Sequence, residues 1–226
     1  MSQHSYKIIK EPHRTILEPI SAIVSHTLIF LHGLGSSPED IGSLFTSVKL
    51  LPSKMRVVMP VAPTAPVTIN NGMHSTSWFD ILDNNIGPQS INFDDVKTNM
   101  TTIHKEIEEA VKLHNSDYKK VFVGGFSQGC CMALHVALEH EHKLGGVVGY
   151  SGFLFPQTDV KQSGLDILLT HGEFDPLIQF EIAKASYQRI LGLEGVEFHN
   201  IKGLGHSLDE EVFKHTINFF ERLELN

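Results

Sequence analysis

Short apolar runs, each stopped by glycine or proline, alternate along this chain with longer stretches of helical periodicity, and that alternation leaves few folds open. Thr27-Leu28-Ile29-Phe30-Leu31 ends at His32-Gly33, and Arg56-Val57-Val58-Met59 ends at Pro60. Val121-Phe122-Val123 stops at Gly124-Gly125, Val147-Val148 at Gly149, Ile167-Leu168-Leu169 at His171-Gly172, and Val196 to Ile201 at Gly203. Runs this short, without polar alternation, predict strands covered on both faces, as in a central parallel sheet. Helix signals lie between them. Ser37-Pro38-Glu39-Asp40 reads as a capping box with proline at the first helical position, followed by the stripe Ile41, Leu44, Phe45, Val48. Val96, Met100, Ile103, Ile107 and Val111 recur at helical spacing between Asp94 and His114. Ser207-Leu208-Asp209-Glu210 reads as a second capping box, opening a terminal helix. The expected fold class is therefore α/β: a doubly wound, mostly parallel sheet with helices on both faces. Right-handed crossovers then align the strand C-termini along one edge, where ligands bind.

The length, 226 residues with 41% hydrophobic and 19% charged, suits one well-buried core and is short for two, so a single domain over residues 1–226 is expected. The formal net charge of −8 argues against attraction to phosphate backbones, and nucleic acid is not an expected partner. Adjacent Cys130 and Cys131 do not suit disulfide geometry and fit a reducing compartment. The first ten residues are polar, position 2 is serine, and Leu225-Asn226 closes the chain without a prenylation cysteine. A cytoplasmic protein with no stable membrane anchor is the expectation. The stretch from Val61 to Gln89, rich in Pro, Asn, Gly and Thr, reads as a long functional loop. The segment before Thr27 carries no assignable feature.

Gly125-Phe126-Ser127-Gln128-Gly129 is a G-x-S-x-G pattern. It follows a strand-like run and precedes a helix-like one, as a nucleophile elbow requires. Glycines remove Cβ atoms that would collide in so tight a turn, and the helix N-terminus behind Ser127 favours developing negative charge. In an α/β-hydrolase the orienting acid and then the histidine follow the serine in sequence, each after its own strand. Asp159, Asp166, Asp175 and Asp209 are the aspartates beyond Ser127. Asp175 lies a few residues past an apolar strand, pinned by Pro176, whereas Asp166 lies at a strand's beginning. Glu173 stands in the same loop as an alternative. Of the histidines beyond Asp175, His199 falls in a strand pattern and His215 in the terminal helix, and only His206 lies on a loop. Ser127 as nucleophile, His206 as general base and Asp175 as its orienting partner complete a triad. Oxyanion donors are expected at the N–H groups of Gln128 and of Leu34, on the glycine-rich His32-Gly33-Leu34-Gly35 loop.

These residues are embedded in longer stretches: Leu31-His32-Gly33-Leu34-Gly35, Pro60-Val61-Ala62-Pro63-Thr64-Ala65-Pro66-Val67-Thr68, Gly72-Met73 with Trp78-Phe79-Asp80, Gly124 to Gly129, His171-Gly172 with Asp175-Pro176, and Gly205-His206. Together they resemble the acyl-protein thioesterase/lysophospholipase family of small carboxylesterases, in family order over nearly the whole chain. The resemblance implies a cytosolic serine hydrolase of fatty acyl thioesters or esters, acting on S-palmitoylated proteins, lysophospholipids or small esters. It implies no cofactor, a monomer or homodimer, and Met73, Trp78 and Leu177 as substrate contacts. Cys130 and Cys131 depart from the small residue usual after the elbow and read as helix packing. Ile81, Leu82 and Ile86 could line an acyl channel or anchor a loop. His135 and Glu139 share helical spacing but lack a third metal ligand, so no metal is expected. Two other readings stand beside the thioesterase: a general carboxylesterase, and a catalytically silent binding scaffold.

Overall fold

The computed structural model describes residues 6–20 and 23–225. The leading residues 1–5, whose polarity argued against a signal segment, and the terminal Asn226 lie outside the described residues. In chain order the strands are β1 (Tyr6–Glu11), β2 (Arg14–Pro19), β3 (His26–Leu31), β4 (Met55–Pro60), β5 (Thr64–Val67), β6 (Met73–Thr76), β7 (Val121–Phe126), β8 (Gly146–Tyr150), β9 (Ile167–Gly172) and β10 (Val196–Ile201). The helices are α1 (Pro38–Ser47), α2 (Phe93–Leu113), α3 (Gln128–Glu139), α4 (Phe180–Tyr187) and α5 (Glu210–Arg222).

Eight strands form one sheet in the order β1-β2-β4-β3-β7-β8-β9-β10. From β4 to β10 every neighbouring pair is parallel, while β1–β2 and β2–β4 are antiparallel. The expected mostly parallel α/β-hydrolase sheet is what the chain forms. Its apolar runs are continuous because both faces are covered. Leu28 and Phe30 of β3 join Phe45 of α1 and Phe220 of α5 in one core layer, while Ile29 and Leu31 join Ile103 of α2 and Leu134 of α3 in the other. The period-2 alternation of a strand thus feeds two cores from one unbroken hydrophobic run.

Three features differ from the sequence expectations. The featureless N-terminal segment supplies the antiparallel hairpin β1–β2. The charged residues of Tyr-Lys-Ile-Ile-Lys-Glu suit a sheet edge, where unpaired strands are protected by charge. The long loop from Val61 to Gln89 contains its own two-stranded hairpin, β5–β6, with Val67 paired to Met73 across the turn. At the terminal helix the cap is Asp209, not Ser207. Its carboxylate accepts from the Glu211 and Val212 N–H groups at 3.0 Å each, and Ser207 lies two residues upstream of this cap. At α1, Ser37 caps the Asp40 N–H and Asp40 returns the bond to Ser37, the reciprocal box expected from the sequence.

Candidate active site

Ser127 joins the C-terminus of β7 to the first turn of α3 with φ 57° and ψ −120°. A left-handed backbone angle at a non-glycine residue costs on the order of 1–3 kcal/mol and persists only where its surroundings enforce it. Here they do. The Ser127 N–H donates to Tyr150 O at 2.9 Å, and its carbonyl accepts from Cys130 and Cys131 at 3.0 and 3.2 Å. The flanking glycines are obligatory for steric reasons. A Cβ on Gly125 would lie 2.3 Å from the Gly129 carbonyl carbon, and one on Gly129 would lie 2.0 Å from Leu31 O. The hydroxyl is thereby held at the end of the sheet.

Two loops at that same edge bring partners to it. His206 follows β10, and its Nε2 lies 2.9 Å from Ser127 Oγ while its Nδ1 lies 2.7 Å from Asp175 Oδ2. Asp175 follows β9. Its Oδ1 accepts from the Leu177 and Ile178 N–H groups at 2.9 Å each, an Asx-type turn that fixes the carboxylate within its loop. Burial alone would raise this carboxyl group, but hydrogen bonds from His171 and His206, the His206 charge and the Ile178 N–H hold it well below the usual carboxylate range. An ionised Asp175 requires the proton on His206 Nδ1, which leaves Nε2 free to accept from the Ser127 hydroxyl. Phe126 packs against the His206 ring at a centroid distance of 4.8 Å. Glu173, the alternative acid, is exposed, and Asp166 accepts from Arg222 at 3.0 Å.

The loop after β3 passes close to the serine: a Cβ on Gly33 would stand 3.3 Å from Ser127 Cβ. Among the described residues the Leu34 N–H has no hydrogen-bond partner, and the Gln128 N–H heads a helix whose first amides lack intrahelical acceptors. Both residues line the cavity in front of Ser127. The side chain of Gln128 does something the sequence did not reveal. Its Oε1 accepts from the Trp78 N–H at 3.0 Å and its Nε2 donates to Phe79 O at 2.7 Å, clamping the 77–79 segment to the start of α3. His32 acts similarly. Its Nε2 accepts from the Ala62 N–H at 3.1 Å, so the proton sits on Nδ1 and is donated to Gly33 O at 2.8 Å.

The cavity holds about 730 Å³. Its apolar wall includes Ile81 and Ile86 from the long loop, Phe153 after β8, and Cys131 of α3. Ile41 and Leu44 of α1, read from sequence only as a packing stripe, also line it. Of the expected substrate contacts, Leu177 lines the cavity. Trp78 does not: it is fully buried, and its indole N–H donates to His32 O at 2.9 Å. A buried tryptophan needs such a partner, and here the acceptor is the first residue of the glycine-rich loop. Met73 is 65% exposed on the β5–β6 hairpin, outside the cavity wall, and Leu82 is likewise exposed and outside it. Cys130 and Cys131 are buried and unbridged, and burial pushes the Cys130 thiol up to about 12. His135 Nδ1 pairs with Thr158 Oγ1 at 3.0 Å, and among the described residues no three His, Cys, Asp or Glu side chains are grouped to hold a metal ion. Among the same residues no helix is long and apolar enough to cross a membrane.

A family profile described as phospholipase/carboxylesterase matches residues 13–224. Acyl-protein thioesterase 1 of Debaryomyces hansenii is 32% identical over 210 residues, covering 86% of this chain and 89% of that protein. Acyl-protein thioesterase 1 of Candida albicans is 30% identical over 217 residues, covering 87% and 91%. The crystal structure of Arabidopsis thaliana SOBER1 superposes with a TM-score of 0.73 at 30% identity, covering 87% of this chain and 98% of that one. Zea mays acyl-protein thioesterase 2, at 21% identity, shares the fold with a TM-score of 0.76 over 94% and 99%.

Proposed function

The chain belongs to the phospholipase/carboxylesterase family, a family of hydrolases, and from that premise we propose that it cleaves fatty acyl thioesters or carboxylic esters through a covalent acyl-serine. The observation that carries the reading is the unbroken line of hydrogen bonds from Ser127 through His206 to Asp175, opening onto an apolar cavity.

In this reading His206 Nε2 takes the Ser127 proton as Oγ attacks the acyl carbonyl carbon. The resulting oxyanion is met by the N–H groups of Leu34 and Gln128. His206 returns the proton to the departing thiolate or alkoxide, and the acyl group stays on Ser127. Water then enters, His206 deprotonates it, and the second collapse releases a fatty acid and restores the serine. Asp175 stays ionised throughout and stabilises the imidazolium. The acyl chain lies against Ile81, Ile86 and Phe153. An S-acylated protein or a lysophospholipid is the substrate class that uses so apolar a cavity. In this reading a single domain does the work in the cytosol, a compartment in which the unbridged Cys130 and Cys131 would stay reduced.

The test is pre-steady-state turnover of one cysteine peptide carrying either a butyryl or a palmitoyl thioester. A burst of thiol equal to the enzyme concentration is expected, with kcat/KM at least about tenfold higher for palmitoyl, since each buried methylene is worth about 0.8 kcal/mol. A flat chain-length profile would make the protein a general carboxylesterase. Absence of burst and turnover with both would make it a binding scaffold.

A further inference from the structure

One buried polar side chain beside the site has no place in the triad. His171 is the penultimate residue of β9 and is wholly buried. Its Nε2 lies 2.7 Å from Ile178 O and 3.3 Å from Asp175 Oδ2. A carbonyl only accepts, so Nε2 carries the ring proton and donates it to Ile178 O, with Asp175 Oδ2 standing 3.3 Å from the same nitrogen. The other nitrogen, Nδ1, is buried and without a hydrogen-bond partner among the described residues. An apolar ring of the same size would avoid that cost. The ring is therefore explained by what Nε2 does, not by packing.

We propose that His171 is a positioning residue for Asp175: its Nε2–H ties the carboxylate to the end of β9 and shares the charge that Oδ2 presents to His206. The proposal rests on the reading of Asp175 as the partner of His206. Oδ1 is held by two amides of its own loop, so those bonds fix the carboxylate only within the loop. The His171 ring adds a side-chain tether from the sheet itself. It also brings a second N–H to within 3.3 Å of Oδ2, the oxygen that faces His206 Nδ1. Two consequences follow from its loss. The carboxylate is less well aimed, so kcat falls. Oδ2 also presents more negative charge to the imidazolium, so the base holds its proton to higher pH.

The experiment compares three variants on 4-nitrophenyl butyrate. His171→Phe keeps the volume without the donor. His171→Asn carries an amide too short to reach the position of Nε2. His171→Gln carries one long enough. For the Phe and Asn variants kcat is expected to fall about ten- to a hundredfold, the usual cost of losing an outer partner of a reacting group. KM should stay within about twofold, since no substrate contact is removed. The acid limb of the kcat/KM profile moves to higher pH. His171→Gln recovers most of kcat and returns the acid limb. Thermal melting identifies any variant that fails to fold, and the Asn–Gln pair decides the matter if the Phe variant does. Folded Asn or Phe variants with parental kcat and an unmoved acid limb would overturn the proposal. So would a Gln variant no better than Asn, which would leave His171 a packing residue. Full activity of Ser127→Ala or His206→Ala in the same assay would instead remove the reading of the site beneath it.

Discussion

His206 Nε2 and Ser127 Oγ lie 2.9 Å apart across 79 positions of sequence. The ring is held from behind by Asp175 at 2.7 Å, so one edge is anchored and the other faces the hydroxyl. This relationship calls for an imidazole and not merely a polar group. His206→Ala is expected to fold and to lose about 10⁴-fold or more in kcat, because members of such a unit fail together. A protonated imidazole cannot accept the serine proton, so parental activity should fall on acidification with a single ionisation. Steady-state rates across pH on 4-nitrophenyl butyrate check both; a parental rate unchanged by acidification of the folded protein would contradict them.

Asp175→Asn keeps the shape of the loop and removes the charge. Turnover should drop by about 10⁴-fold, since an amide favours the wrong ring tautomer. The same carboxyl group gives stability a pH dependence. Its folded-state value lies below the ordinary carboxylate range, so its stabilising contribution is complete above the unfolded value of about 4 and is lost as pH falls through the folded value. The stability gap between parent and Asp175→Asn should therefore be constant above about pH 5 and shrink in acid. Urea unfolding at neutral pH and near pH 3 measures it. A gap that widens in acid would reverse the sign of the argument.

Much of this site is legible in the sequence, and the reason is local. Ser127, Asp175 and His206 each follow a short apolar run, and such runs are readable because β7, β9 and β10 sit inside a two-faced sheet. The elbow glycines are readable because Gly125 and Gly129 leave no room for a Cβ. Trp78 and Gln128 were visible as residue types, but which way each points depends on the meeting of the 77–79 segment with α3, about fifty positions away. His171 is legible as the end of a strand and as part of the His171-Gly172 and Asp175-Pro176 stretch, but nothing in sequence shows that its ring turns toward Asp175. In the hairpin β1–β2, β1 is not legible because it carries charge at the sheet edge, and β2 because its apolar run is only Ile16-Leu17. Helix α4 was missed because it has eight residues and buries only Ala183 and Tyr187, too few for a stripe.

The steric demand at the elbow is testable by contrast. Gly129→Ala drives a Cβ to 2.0 Å from Leu31 O and should destabilise the protein by about 3 kcal/mol or prevent folding. Gly35→Ala meets nothing within 4 Å and carries only the penalty of its φ of +71°, about 1 kcal/mol. Denaturant midpoints rank the two. Equal losses would mean the elbow has more slack than its geometry implies.

Both cysteines lie in α3 immediately behind the nucleophile, and burial raises each thiol well above its ordinary value. The native protein should show no fast-reacting thiol with a chromogenic disulfide at pH 8, and two after unfolding in guanidinium. A rapid native equivalent would show that the wall formed by Cys131 opens.

The most direct test is covalent capture of the nucleophile. A fluorophosphonate should add once per chain, and peptide mass analysis should find the adduct on Ser127 alone, with none on a folded Ser127→Ala variant. Labelling that persists in that variant, or an adduct on another residue, would contradict the assignment of the reacting hydroxyl.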